Sequence, residues 1–363
     1  MKVLIVNPIL YTNENRNIKK VNTIKDTMIY DLCLAFKKKG CDVTLAASDL
    51  YKPSENESYP FSIIWMKTRL TKLFPPHTLP YCPEVKKIAK SGNFDLIITS
   101  EVFSLNSLKL ALSTPKNLIV WQELGKHNRI FHGLASKFWY GIVAKIGFKK
   151  ALIVARSVQA REFISKYCKN VSDTIIDHGV NIEKFIPCIE KDNQFAISSQ
   201  LISRKHIEKS IEAFAKYLNK YDDSAKLYIM GDGDEKENLR KLAKDLGAEN
   251  NIIFTGKLGH NELIEILKKS IAMLVYTEKD NNMVSVVESI ALATPVITTD
   301  IPYNASYIKA EKLGIVNNNW NEDDLRKLAT SDKYINNCMN YRKYLPTEYK
   351  AEQFLKLFSG EKR

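Results

Sequence analysis

Two acids eight positions apart, Asp280 and Glu288, open the run DNNMVSVVESIALATPVITTD at residues 280–300. At about 100° per residue, eight steps come to roughly 800°, some 80° from a whole number of turns, so one unbroken helix would not align them. They suit a loop carrying Asp280 followed by a helix carrying Glu288, with a short strand at residues 295–298. A polar ligand lying across that helix N-terminus could meet both carboxylates and the free amides of the first turn. A polar loop, a helix acid favoured by the dipole and a buried strand account for the same letters without any ligand.

A second constellation is basic. Arg204 and Lys205 stand where a helix is expected to begin, an unfavourable place for cations unless an anion sits there too. The pair therefore points to a phosphate site, the alternative being a basic helix end facing water. Gly231-Asp232-Gly233 follows an apolar strand, as does Gly256-Lys257-Leu258. Such turns are generic in α/β proteins.

In their order along the chain these segments resemble the retaining family-4 glycosyltransferases. The family pattern is an acid, seven residues, Glu, a small apolar helix and G-x-P-V-I; Pro295, Val296 and Ile297 match it, Asp280 replaces the usual Glu and Thr294 the usual Gly. The stretch from Ser199 to Lys205 with Ile211-Glu212-Ala213-Phe214 resembles G-R-L-x-x-x-K-G followed by L-I-E-A-F, with Gln200 on the Arg position. Asp177-His178-Gly179-Val180-Asn181, with Phe185 and Pro187, resembles the N-G-V-D-x-x-x-F-x-P hinge segment; His178 reads as a ligand contact or as a turn-stabilising residue.

The resemblance implies a donor site for a nucleotide diphosphate sugar. Glu288 would hold the ribose, and Asp280 with Asn281, Asn282, Met283 and Val284 would lie along the sugar. Lys205, helped by Arg204, would face the diphosphate, where Gln200 keeps hydrogen bonding but loses a fixed charge. Gly231 would approach the donor, and Gly256, Lys257 and Leu258 would read the base through their backbone.

The first half departs further from the family. Lys19-Lys20-Val21-Asn22 stands where many members have a Gly pair, so Lys19 and Lys20 would supply charge instead. Where many members place a His after the fourth strand, this chain has Val120-Trp121-Gln122-Glu123 and then His127. Glu123 or His127 is the substitute that could orient a sugar hydroxyl or take the acceptor proton; a structural His127 is the plainer alternative.

The elements that must position these groups follow from the apolar pattern. Residues 3–6, 42–47, 61–66, 95–99, 117–121, 151–155 and 174–176 read as strands of the first half. Residues 195–198, 226–230, 252–255, 272–276 and 295–298 repeat the pattern in the second. Thr23-Ile24-Lys25-Asp26 reads as a capping box opening a helix to about Lys39, with Met28, Leu32, Ala35 and Phe36 at helical spacing. Strands alternating with helices predict right-handed crossovers and parallel sheets, with ligands at the carboxyl ends of the strands. The loop at residues 7–22 would then border the site.

At 363 residues, 45% apolar and 26% charged, the chain has room for two globular domains. No window approaches 18 uninterrupted apolar residues, and the N-terminal MKVLIVNPIL reads as a buried strand rather than a signal peptide. Six scattered cysteines show no metal or redox spacing and read as free thiols of a reducing cytoplasm.

The net charge of +13 is unevenly placed. Residues 1–187 hold 28 Lys and Arg against 15 Asp and Glu, whereas residues 188–363 hold 26 of each. A basic half meets something anionic: lipid, nucleic acid or a phosphorylated substrate. Lys137-Phe138-Trp139-Tyr140 onward to Lys150, and Lys67, Arg69 and Lys72 beside Leu70, Leu73 and Phe74, mix cations with apolar side chains as a membrane surface would require. A core helix with a charged rim is the alternative for residues 137–150. No recognised nucleic-acid motif accompanies them, so no nucleic acid is expected.

The expected fold is α/β, two Rossmann-like doubly wound domains facing across a cleft, the GT-B type. Residues 1–187 form the acceptor side and 188–345 the donor side, with a link near 185–192 and a C-terminal helix at 346–363 packing back. The expected function is a retaining, metal-independent glycosyltransferase without a cofactor, using a UDP-, GDP- or ADP-sugar. Its acceptor would be a saccharide or lipid-linked, and it would work in the cytoplasm at the inner face of the membrane, in surface polysaccharide or glycolipid assembly. A non-catalytic partner subunit and a nucleotide-sugar epimerase on the same fold are the rival readings.

Overall fold

Among the described residues twelve short apolar strands form two parallel six-stranded sheets in the structure, a computed structural model. It describes all residues except 12–17, 19–20, 56, 76, 129–132 and 361–363; the expected contacts of Lys19 and Lys20 lie outside the described residues.

The first sheet comprises β1 (Lys2–Val6), β2 (Asp42–Ser48), β3 (Ser62–Met66), β4 (Leu96–Ser100), β5 (Leu118–Gln122) and β6 (Leu152–Ala155), in the order β3-β2-β1-β4-β5-β6. The second comprises β7 (Gln194–Ser198), β8 (Lys226–Met230), β9 (Ile252–Gly256), β10 (Ala272–Leu274), β11 (Val296–Thr298) and β12 (Gly314–Val316), in the order β12-β11-β10-β7-β8-β9. Both have the doubly wound strand order, with its switch between the first and fourth strands.

The strands are apolar on both faces because helices cover both. Val3 and Ile5 pack into one core with Leu45, Ile98 and Trp121. Leu4 and Val6 point the other way, into a core with Ala46, Ile97 and Val120. In the second sheet Phe195 and Ile197 face one core and Ala196 the other. The helix Ile207–Lys220 buries Ile207, Ile211, Phe214 and Leu218, three or four residues apart.

The chain divides into two compact units. Unit 1 is Met1–Gly179 with Thr347–Arg363, and unit 2 is Val180–Pro346. The division runs between Gly179 and Val180, upstream of the 185–192 segment marked by Pro187. The helix Thr347–Ser359 belongs to unit 1, where Ala351 and Phe354 enter the core and Glu348 and Glu352 pair with Lys38 and Lys39 at 2.9 Å each.

Three local expectations are corrected. The first helix is Met28–Lys38, capped by Thr27, whose hydroxyl accepts from Tyr30 N. Thr23 instead donates to Glu57 at 2.9 Å and accepts from Lys25 N. Residues 174–176 form no strand: only Ile176 N, bonded to Ala155 O, continues the sheet, so no ladder develops. Arg204 and Lys205 end a 3-10 turn, Ser203–Lys205, while the helix begins at Ile207. His206 makes the break, at φ +42°.

Candidate functional site

Strands β7 and β10 are paired, so the loops at their carboxyl ends come together and bring residues 75 apart into contact. Lys205 Nζ lies 2.7 Å from Asp280 Oδ2, and Arg204 Nη1 lies 3.3 Å from Oδ1. Thr277 Oγ1 donates to the same Oδ2 at 2.6 Å, and Arg204 Nη1 donates to Lys279 O at 2.7 Å. The Lys205 and Asp280 side chains are 11% and 15% exposed, Arg204 31%. Two cations thus converge on one carboxylate that also accepts a hydroxyl proton, a charge-assisted arrangement.

Asp280 is followed by a helix, Val284–Ala291, as the spacing required; Glu288 stands a full turn inside it. The N-cap residue Met283 makes no side-chain cap bond and the first turn carries no acid, so this helix start suits an anion or a hydroxyl-rich ligand. Asn304 holds the entry in place: its Oδ1 accepts from Met283 N at 2.6 Å and its Nδ2 donates to Tyr307 Oη. Asn281 O accepts from Tyr303 N at 3.2 Å.

The Glu288 carboxylate lies 3.1 Å from His260 Nε2. His260 opens the next helix, His260–Lys269, directly after the Gly256-Lys257-Leu258 segment. Glu262 closes back on Gly259 N at 3.0 Å and fixes that start. Glu288 and residues 256–258 are thereby linked through one imidazole.

Gly231 (φ +154°) and Gly233 (φ +159°) have a local role of their own. A β-carbon on Gly231 would sit 1.8 Å from Ser199 O, and one on Gly233 2.3 Å from Leu201 O. Leu201 N donates to Asp232 O and Glu235 N to Leu201 O. The two glycines therefore let the loop after β8 lie against the loop after β7, which carries the exposed Gln200 and, further on, Lys205.

A second polar cluster sits at the carboxyl ends of β1, β4, β5 and β6 in unit 1. The Arg156 guanidinium stacks 3.8 Å over the Trp121 ring and donates to Glu123 Oε2 at 2.8 Å. It also lies 3.2 Å from His178 Nε2; because Arg can only donate, that nitrogen is the acceptor. Ser100 Oγ, 3.4 Å from Arg156, donates to Asn7 Oδ1 at 2.6 Å. Glu101 accepts from the backbone of Glu123 at 2.7 Å and of Leu124 at 3.4 Å. It adopts φ +67°, an uncommon conformation for a side-chain-bearing residue. Desolvation pushes its carboxyl up to about 7, with Arg156 pulling it down and Glu123 raising it further.

His127 lies elsewhere. Its ring nitrogens are 3.0 Å from Ser136 Oγ and 3.0 Å from Tyr167 Oη, and Tyr140, Phe163 and Tyr167 pack edge-on around it. Burial, and then Lys137, lower its pKa. With both nitrogens engaged by hydroxyls, the geometry is that of a structural histidine tying Ser136 to Tyr167.

Sequence reasoning missed Thr277, Asn304 and His260 around the donor-side acids, and Glu101 and Arg156 around Glu123. Each lies just past a strand end or at a helix start, and that position was the available signal. Among the described residues no group of His, Cys, Asp and Glu is arranged to hold a metal ion, and no helix is long and apolar enough to cross a membrane. All six cysteines are free.

Two doubly wound units of this topology define the GT-B class of fold. A lipopolysaccharide outer core galactosyltransferase, WaaB, superposes over 100% of both chains with a TM-score of 0.67 at 14% identity. Anabaena HepE in complex with UDP covers 99% of this chain and 100% of its own, with a TM-score of 0.67 at 12% identity. Residues 181–341 match the family model described as Glycosyl transferases group 1. An alpha-monoglucosyldiacylglycerol synthase from Streptococcus pneumoniae is 26% identical over 255 residues, 63% of this chain and 57% of that relative. The chain thus spans little more than half the length of that curated relative.

Proposed function

We propose that the protein is a retaining glycosyltransferase that moves a sugar from a nucleotide diphosphate sugar to an acceptor hydroxyl, in the assembly of a surface polysaccharide or glycolipid. The observation that carries the reading is the convergence of Lys205, Arg204 and Asp280 just before a helix with no acid in its first turn, within the segment that matches the glycosyltransferase family.

The donor occupies unit 2. Glu288 accepts from the ribose hydroxyls, with His260 orienting its carboxylate, and residues 256–258 meet the base. Without donor, Asp280 pairs with both Lys205 and Arg204, leaving a net positive charge. An arriving diphosphate competes for both cations and frees Asp280, with Asn281, to accept from sugar hydroxyls. As the bond from the anomeric carbon to the phosphate oxygen breaks, its electron pair passes to the leaving diphosphate, which the cations and helix amides stabilise. The acceptor oxygen bonds to the anomeric carbon on the same face, and its proton passes to the leaving phosphate. These side chains supply the positive charge that a divalent cation supplies elsewhere, so the reaction proceeds without a metal. On the acceptor side Glu123, held by Arg156 at 2.8 Å, orients a sugar hydroxyl and takes no proton. A lipid-linked acceptor and a peripheral contact with anionic membrane suit the basic unit 1.

The test is nucleotide release from each common UDP-, GDP- and ADP-sugar, with and without lipid extract, in the presence of EDTA. Release with one donor, lost in Glu288→Ala and insensitive to EDTA, is the expected result. If no donor is turned over and calorimetry detects no nucleotide binding, the enzyme reading fails and a non-catalytic partner subunit takes its place.

A further inference from the structure

Two sequence stretches 60 residues apart, each mixing cations with apolar side chains, meet at one cavity of about 350 Å³ in unit 1. Leu73 and Phe74 come from the first stretch, Phe138 and Trp139 from the second, and Phe103 and Leu105 lie between them; Lys72 and Ser104 are polar members of the lining. The volume is that of a small-molecule site, and the lining is more apolar than most. Trp139 is fixed to the wall: its Nε1 donates to Val102 O at 2.9 Å and its ring packs edge-on against Phe103.

The helical stretch beside the cavity has an outer face that a solvated helix would not have. Tyr140, Ala144 and Phe148 are buried in the core. Leu134, Phe138, Ile142 and Ile146, four residues apart, are 51–72% exposed. In a straight α-helix each four-residue step overshoots a full turn by about 40°, which would wind such a row around the axis. Here residues Trp139–Ala144 form a π-helical turn. Its i→i+5 bonding unwinds the helix locally and offsets the drift. Lys137, Lys145, Lys149 and Lys150 flank the row, Lys67, Arg69 and Lys72 stand exposed on the other stretch, and neither 134–150 nor 67–83 contains an acid.

An apolar row and an apolar cavity, on two stretches whose own charged side chains are all cations, fit one kind of partner: a surface with anionic headgroups outside and hydrocarbon within. We propose that the cavity takes a hydrocarbon chain of an anionic lipid while the row 134–138–142–146 lies in the headgroup boundary. This deepens the acceptor side of the function proposed above and rests on it only for the purpose of the binding, not for its occurrence.

The test uses the full chain with vesicles of phosphatidylcholine, with or without phosphatidylglycerol, and with lipids brominated along their chains. The expected result is flotation with the anionic vesicles only, and quenching of tryptophan fluorescence that is lost in Trp139→Phe. Phe138→Asp and Leu73→Asp, both at exposed positions, should weaken vesicle partition about tenfold or more with an unchanged far-UV circular dichroism spectrum. Absence of binding to anionic vesicles overturns the proposal. So does binding in which Trp139 stays unquenched and Phe138→Asp has no effect, since the cations alone then account for it. Nucleotide binding to the same samples reports on the donor site separately, so either reading can fail without the other.

Discussion

Lys205 Nζ and Asp280 Oδ2 are 2.7 Å apart in a pair that is little exposed, and the loops carrying them are neighbours only because β7 and β10 pair. Without ligand the pair keeps a cation and an anion ready in one place, each neutralising the other's charge. On the proposed function, a dianionic donor would compete with this single carboxylate for the cations, and one event would both fill the phosphate site and free Asp280 for the sugar.

Lys205→Ala should therefore lower the rate of nucleotide release about 10²–10³-fold with a much smaller effect on donor KM, because the ammonium acts on charge that develops in the transition state. Lys205→Arg should recover part of the rate. Steady-state kinetics of both variants with the identified donor are the measurement; equal effects on kcat and KM would count against the role.

Glu288→Ala should weaken nucleotide binding about tenfold or more, measured by calorimetry with the free nucleoside diphosphate. His260→Ala should weaken it less, since His260 touches the carboxylate and would only orient it. A His260 effect as large as that of Glu288 would mean that the imidazole itself meets the ligand.

Glu101 predicts a pH dependence of stability. Its carboxyl is raised from an ordinary 4.5 to about 7 in the fold, chiefly by desolvation. Between those values the native state binds more protons than the unfolded state, so its contribution is complete below about 4.5 and is lost as pH rises through about 7. Melting temperatures should fall over that window in the wild type, and Glu101→Gln should flatten the profile.

Gly233→Ala should destabilise the protein by about 2–4 kcal/mol, because its β-carbon would meet Leu201 O at 2.3 Å at a positive φ. Urea unfolding measures it. A loss confined to nucleotide affinity, with stability unchanged, would mean that the glycine serves a ligand rather than the loop beneath it.

Phe354→Ala should cost about 3–5 kcal/mol, the usual range for a buried aromatic. Its ring lies edge-on to Trp121 at 5.3 Å and tilted to Phe36 at 6.2 Å. The loss should appear as earlier unfolding of unit 1, followed by the fluorescence of Trp121.

Much of this was legible in the letters. Short apolar runs separated by helical patterns predicted both sheets, since a parallel strand covered on both faces has no other pattern to show. Asp280 in a loop and Glu288 in the following helix came from spacing alone. What the letters hid was pairing at a distance. Glu101 and Arg156 are 55 positions apart and meet only once β4, β5 and β6 lie side by side. Thr23 looked like a helix cap because its neighbours fit the rule, but Thr27 offers the same hydroxyl four residues later and Glu57 claims Thr23. The stretches 67–74 and 137–150 each read as a basic and apolar face suited to a membrane surface, with a charged rim as the alternative for 137–150, but the cavity between them belongs to neither one.

The helix Thr347–Ser359 completes the core of unit 1, yet it is made after all of unit 2. During synthesis unit 2 is whole as soon as its own contiguous stretch has emerged. Unit 1, begun first, waits with the wall beside Phe36 and Trp121 open. Domains usually mature in the order in which they are made; here the order is reversed. The apolar wall that Ala351 and Phe354 cover is thus left open until residues 347–359 emerge.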